Sequence, residues 1–292
     1  MNENYFLPDF FIVGAPKAGT TSLYYYLEQH PDIFMSPVKE PNYFSFTEIE
    51  KQNLYYTEKG ISNWEDYVAL FRNSSGKKAR GEASVSYLFY PGVAKNIFNK
   101  IPEARIIIML RNPIDRAFSH YEMDYRLGYV KSSFSEIVFD KNKNHLRQMQ
   151  FQQYVLLGNY AEQVNRYFEV FGKKNVFVVL FDDFKTDAEG VIKKLYEFLQ
   201  VNPDFENDTE EKHNISEQPR NKLLLALYRT KAIRKLMRKL FPASIIAGVK
   251  KILMTKKKSR NPEVVSFLRN YYMPGIIELE NILNRNLKNW YE

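Results

Sequence analysis

The apolar run Phe10-Phe-Ile-Val13 feeds straight into Gly14-Ala-Pro-Lys-Ala-Gly-Thr-Thr-Ser22, and this junction constrains the fold more than any other stretch of the chain. Four consecutive apolar residues of this kind suit a strand buried on both faces of a parallel sheet. From Thr20, Thr-Thr-Ser-Leu-Tyr-Tyr-Tyr-Leu-Glu-Gln-His30 reads as a helix. It brings Leu23, Tyr26, Leu27 and His30 near one face, with His30 as a helix-end residue and Pro31 closing it. The start of such a helix offers an anion free N–H groups, the positive dipole end and the hydroxyls of Thr20, Thr21 and Ser22, while Gly19 admits close approach. A Walker loop carries its lysine directly after the second glycine. Here Gly14 and Gly19 keep the spacing, Thr20 stands where that lysine belongs, and the loop's own lysine is Lys17. The loop suits a phosphate and departs from a nucleotide hydrolase.

Residues 104–110, Ala-Arg-Ile-Ile-Ile-Met-Leu, form a second buried strand, followed by Arg111-Asn-Pro-Ile-Asp-Arg-Ala-Phe-Ser119, in which Pro113 opens a helix. Residues 175–181 form a third strand, between amphipathic helices at about 150–171 and 188–199. Gly81-Glu-Ala-Ser-Val-Ser-Tyr-Leu88 reads as a short strand running into a loop. A last helix, roughly 262–287, carries Val265, Leu268, Tyr272, Ile276, Leu279 and Leu283 as a core stripe. Short apolar strands alternating with helices predict an α/β fold: a P-loop-like three-layer sandwich with a central parallel sheet and helices on both faces. A single domain over 1–292 is expected, with a basic helical C-terminal portion from about 223, broken near Pro242 and over 255–262.

With 292 residues and 45% hydrophobic content, the chain can bury a sizeable core. It has no cysteine, which excludes disulfides, thiolate metal sites and cysteine nucleophiles. No stretch approaches the ~18 apolar residues of a membrane span. The sequence moves straight into its first strand with no room for a signal peptide, so a cytoplasmic location is expected. The net charge of +8 is concentrated. Residues 229–260 hold twelve Lys and Arg and no Asp or Glu, leaving 30 basic against 34 acidic residues elsewhere, a net of −4. That segment reads as a solvated helix face, as a surface for an anionic acceptor, or as a peripheral membrane contact. For the last, Ile233, Leu236, Met237, Leu240 and Phe241 interleave with Arg234, Lys235, Arg238 and Lys239. Nucleic acid is not expected, because no base-reading motif accompanies the charge.

Open parallel sheets bind ligands at the carboxyl ends of their strands. Two such ends carry cationic groups here, the Lys17 loop and Arg111, and Ser119 follows Arg111 about two helical turns along. Arginine's forked donors suit a terminal phosphate. Arg111 taken alone reads equally as a surface ion pair with Asp115. Together with the first loop it points to a ligand with phosphates at both ends.

Pro16-Lys-Ala-Gly-Thr-Thr-Ser-Leu23 resembles the 5′-phosphosulfate loop of sulfotransferases that use 3′-phosphoadenosine 5′-phosphosulfate (PAPS), and Leu110-Arg-Asn-Pro-Ile-Asp-Arg-Ala-Phe-Ser-His-Tyr121 resembles their 3′-phosphate motif. Lys39-Glu-Pro-Asn-Tyr-Phe44 is similar to a Lys-Glu-Pro-x-x-Phe segment of the heparan sulfate sulfotransferase branch. The Gly81–Leu88 segment and the closing Leu-Glu-x-x-Leu…Trp290 pattern resemble that branch and its bacterial relatives. The resemblance spans most of the chain in order.

It implies transfer of the sulfuryl group of PAPS to a hydroxyl or amine, with release of 3′,5′-ADP and no metal. Lys17 would stabilise the leaving phosphate, which needs no metal bridging two phosphates. Lys17, Ala18, Gly19, Thr20, Thr21 and Ser22 would hold the 5′ end, and Arg111 and Ser119 the 3′-phosphate. Glu40 takes the position of the branch's catalytic base, with Lys39 holding it ionised or touching a substrate. His120 is the rival base, more in keeping with packing or lining. Two features depart from the pattern: Ala83 follows Glu82 where some relatives have lysine, and Lys258-Ser-Arg-Asn-Pro262 matches the late basic loop loosely. Lys258 and Arg260, and more weakly Arg220, are thus candidate 3′-phosphate contacts. The implied acceptor is a carbohydrate or glycolipid, with a lipid or small aromatic alcohol as alternatives. Two other classes stay open on sequence alone: a nucleotide kinase or NTPase, and a non-catalytic anion- or membrane-binding protein.

Overall fold

The computed structural model describes residues 6–54, 56, 60–140, 144–208, 218–219, 254–255 and 259–292. Its centre is an all-parallel sheet of five strands: β1 (Phe10–Gly14), β2 (Ile33–Met35), β3 (Ala79–Ala83), β4 (Arg105–Leu110) and β5 (Val176–Leu180), in spatial order β2-β3-β1-β4-β5. β1 is buried along its whole length, as its unbroken apolar sequence requires. Helices pack around the sheet: α1 (Thr20–Gln29), α2 (Phe46–Gln52), α3 (Trp64–Ala69), α4 (Val93–Lys100), α5 (Pro113–Leu127), α6 (Phe134–Phe139), α7 (His145–Tyr154), α8 (Tyr160–Phe171), α9 (Phe181–Thr186), α10 (Ala188–Leu199) and α11 (Pro262–Leu283). The expected α/β architecture is present. Outside it, Gln218–Pro219 pairs antiparallel with Met254–Thr255.

Strand order reverses at β1. The chain leaves β1 through α1 toward β2 on one side, while β4 pairs with the other edge. A crevice at the carboxyl ends of β1 and β4 is where such a sheet accepts ligands.

The two loop glycines are fixed by packing. At Gly14 a Cβ would lie 2.7 Å from that of Leu88. Gly19 has φ +101°, and a Cβ there would lie 2.9 Å from the Phe181 ring and 3.0 Å from Met109 Cε. Gly19 therefore lets the loop settle on the ends of β4 and β5. Gly19→Ala is expected to destabilise the fold by about 1–3 kcal/mol, read as a lower urea midpoint.

The helix expected over 150–171 is two helices with a single 3₁₀ turn, Leu156–Gly158, between them. Side chains from distant elements capture the carbonyls at the break. Arg116 donates to Gln153 O (3.2 Å) and Tyr154 O (2.6 Å), and Tyr272 donates to Val155 O (2.7 Å). Tyr272 also packs so closely on Gly158 that a Cβ there would lie 2.8 Å away. The last helix stops at Leu283, where Asn284 caps it in the left-handed conformation. Its buried stripe includes Val264, with Val265 only partly covered.

Candidate active site

α1 and α5 both begin at the mouth of the crevice, and they are finished differently. Asn112 caps α5 with its own side chain, accepting from the N–H groups of Ile114 (2.9 Å) and Asp115 (3.3 Å). α1 starts at Gly19 with no side-chain cap and no acidic residue in its first turn. Its first N–H groups have no acceptor within the helix. The positive end of α1 is thus open to a ligand, and that of α5 is closed by the protein.

A cleft of about 690 Å³ lies over these elements. Among the described lining residues the cations are Lys17, Lys39, Arg111 and Arg126, and the one carboxylate is Glu40. Thr20, Thr21, Ser22 and Ser119 add hydroxyls, and Gly19 lines the same cleft. The structure therefore brings together Lys17, the α1 hydroxyls, Arg111, Ser119 and Glu40, as the sequence motifs require. Ala18 is buried beneath the loop.

Lys17 has φ +66°, and its ammonium rests 3.3 Å from the Met123 thioether, a weak acceptor. Burial lowers its pKa, Arg126 and Arg111 add to that, and Asp124 opposes it. An incoming anion would relieve these penalties together. The Arg111 guanidinium carbon lies over the Phe181 ring, 4.9 Å from its centroid, and the side chain donates to Lys17 O at 3.2 Å. Asp115 is 3.9 Å away, so the ion pair read from sequence is loose. Among the described residues the buried Arg111 Nε has no partner. A guanidinium lining the cleft suits a phosphate oxygen.

Glu40 sits in a turn in which it and Asn42 have left-handed backbone, φ +65° and +52°. One carboxylate oxygen pairs with Lys39 at 2.6 Å, and the other accepts from Val85 N–H at 2.8 Å. The side chain remains 32% exposed, open on the cleft side. His120 lines the same cleft but is more enclosed. It is 4% exposed, with Nε2 2.9 Å from the Tyr56 hydroxyl and Nδ1 3.4 Å from Arg116. Burial, Arg116 and Lys17 hold its pKa well below the usual histidine value. Both its nitrogens are engaged within the protein. His30 is the helix-end residue expected, with Nδ1 accepting from Asp32 N–H and Nε2 3.0 Å from Asn202 O.

Arg260 pairs with Asp115 at 2.6 Å and lies over the Phe118 ring; it is not among the residues lining the cleft, though Asp115 also neighbours Arg111, 3.9 Å away. Lys258, Arg220 and the basic amphipathic stretch 233–241 lie outside the described residues. Two contributors were missed from sequence. Arg126 was legible, because it follows Ser119 by seven residues on the same helix and therefore shares its face. Tyr56 had no such signal. It donates to Asp124 at 2.6 Å across 68 residues of chain. Among the described residues no cluster of three or more His, Asp or Glu could hold a metal ion.

The sheet order, the uncapped α1 and the cationic cleft define a P-loop-like fold with an anion-accepting crevice at the carboxyl ends of its strands. The sulfotransferase domain family matches residues 7–261, and the chain belongs to that family of enzymes. A sulfotransferase crystal structure from Alicyclobacillus acidocaldarius is 34% identical, with a TM-score of 0.75, covering 98% of this chain and 100% of that one. A bifunctional heparan sulfate N-deacetylase/N-sulfotransferase 4 from Mus musculus is 26% identical over 96% of this chain and 30% of its own length. A membrane-associated sulfotransferase, kil1, from Dictyostelium discoideum is 35% identical over 39% of this chain and 22% of its own length. The chain thus spans under a third of either of these two relatives. Among the described residues no helix is long and apolar enough to cross a membrane.

Proposed function

We propose that this protein transfers the sulfuryl group of PAPS to a hydroxyl or amine of a carbohydrate or glycolipid, releasing 3′,5′-ADP. The observation that carries the reading is the single cleft holding Lys17, Arg111, Ser119 and Glu40 around the uncapped start of α1. PAPS supplies the activated S–O bond. The N–H groups and hydroxyls at the start of α1 hold the 5′-phosphate, and Lys17 leaves Met123 to neutralise charge on the departing phosphate. Arg111 and Ser119 hold the 3′-phosphate, with Arg260 entering from Asp115. Glu40 takes the acceptor proton as the acceptor oxygen or nitrogen attacks sulfur in line. Arg111→Ala is expected to weaken 3′,5′-ADP binding about 10- to 100-fold, the size of a lost charged hydrogen bond, as read by calorimetry.

The acceptor reading draws support from the relatives and from the rest of the cleft. Beyond Glu40 the described wall carries Ile49, Leu54, Tyr56, Phe89, Tyr90 and Tyr129. Aromatic faces of this kind suit the apolar face of a sugar ring, with Asn42 and Ser86 as hydrogen-bonding partners. A screen of labelled PAPS against glycans, glycolipids and phenols tests it. Transfer to glycans or glycolipids supports the reading, and transfer confined to phenols overturns it. The location we propose is cytoplasmic, with the basic 229–260 segment as the part that meets a membrane or an anionic acceptor. One domain over 1–292 is part of the same proposal.

A further inference from the structure

Glu82 is a fully buried carboxylate on β3, and the transfer chemistry above makes no use of it. Three hydroxyls donate to it: Ser84 to Oε1 at 2.5 Å, and Tyr67 and Tyr87 to Oε2 at 2.7 and 3.2 Å. Two of these hydroxyls accept from the backbone that follows Glu40. Asn42 N–H donates to Ser84 Oγ at 3.0 Å, and Phe44 N–H donates to the Tyr87 hydroxyl at 3.2 Å. Glu40 N–H itself binds Ala83 O at 2.9 Å, one residue along from Glu82.

A hydroxyl has one proton and two lone pairs, and an ionised carboxylate only accepts. With Glu82 as acceptor, Ser84 and Tyr87 must turn their protons inward and their lone pairs toward Asn42 and Phe44. We propose that Glu82 is a positioning residue that fixes the turn carrying Glu40, by setting the direction of the Ser84 and Tyr87 hydroxyls that hold this turn's backbone. The proposal rests on the reading of Glu40 as base for its kinetic consequence, though not for its structural one. The turn needs such support, because Glu40 and Asn42 both hold left-handed conformations that side-chain-bearing residues adopt reluctantly. Burial pushes the Glu82 carboxyl up to about 7, and its three hydroxyl donors oppose that rise.

Glu82→Gln keeps the shape and makes one end of the group a donor, so at least one hydroxyl can no longer donate to it, and as that proton turns elsewhere the lone-pair direction that accepts from the Asn42 or Phe44 N–H is disturbed. Amide hydrogen exchange at Asn42 and Phe44, followed by NMR, is expected to accelerate in this variant. kcat is expected to fall about 10²-fold, the order reported for a catalytic group misplaced by an ångström, with 3′,5′-ADP affinity unchanged. Ser84→Ala serves as the second variant if the first folds poorly: exchange should accelerate at Asn42 and remain slow at Phe44. Faster exchange with unchanged kcat would support the positioning and count against Glu40 as the base. Exchange at both amides unchanged in Glu82→Gln would overturn the proposal. So would a loss of 3′,5′-ADP affinity in proportion to kcat, which marks a general loss of structure.

Discussion

Glu40→Gln is expected to lower the rate of sulfuryl transfer by about 10²- to 10⁴-fold, the contribution of a positioned general base, while leaving 3′,5′-ADP affinity at its wild-type value. The substitution keeps size and shape and removes only the ability to take a proton. The partners of Glu40 make the two effects separable. Val85 N–H and Lys39 each hold one carboxylate oxygen, and Arg111 and Ser119 lie on other elements. The glutamine can still accept from Val85, so the turn is retained while proton removal is lost. The measurement is kcat and KM for the best acceptor together with calorimetry of 3′,5′-ADP. Wild-type kcat would eliminate Glu40 as the base. His120 offers no substitute, since its ring nitrogens are engaged with Tyr56 and Arg116 and its pKa is held down.

Lys17→Ala is expected to lower kcat by about 10²- to 10³-fold, the cost of removing one preorganised donor from a developing charge. Its effect should fall chiefly on kcat, because the α1 N–H groups and hydroxyls and Arg111 continue to hold the nucleotide. Lys17 also carries a pH signature. Burial first and Arg126 second lower its pKa from the ordinary 10.5, so in the free protein it loses its proton earlier than a solvated lysine. The rate of transfer should therefore fall on the alkaline side before pH 10.5 is reached, and that limb should disappear in Lys17→Ala. An unchanged limb in the variant would assign the titration to another group.

Much of this site could be read from sequence, because its chemistry lies next to apolar runs. β1, β4 and β5 stand out as short, largely apolar segments, and within a few residues of the ends of β1 and β4 come Lys17 and Arg111. β2 has only three residues, Ile33–Met35, too few to show a pattern. The break between α7 and α8 was illegible for another reason. Carbonyl capture by Arg116 from α5 and Tyr272 from α11 decides it, and no local window contains those partners. Glu82 is similar: its neighbours Ser84 and Tyr87 are local, but the backbone they hold is some forty residues upstream. Arg126 was within reach, being one helical repeat past Ser119. Gly19 reads from sequence as admitting close approach of a ligand, and the structure adds a second constraint, the Phe181 ring and Met109 leaving no room for a Cβ.

The central claim is that Gly14–Ser22 and Arg111 form the two ends of a PAPS site and not an ATPase loop. Calorimetry of the purified protein with 3′,5′-ADP, against ATP with Mg²⁺, tests it most directly. Tight binding of 3′,5′-ADP without metal, weakened by Arg111→Ala, is expected, with little or no binding of ATP·Mg²⁺. Binding of ATP·Mg²⁺ in preference to 3′,5′-ADP, or 3′,5′-ADP binding indifferent to Arg111→Ala, would contradict it.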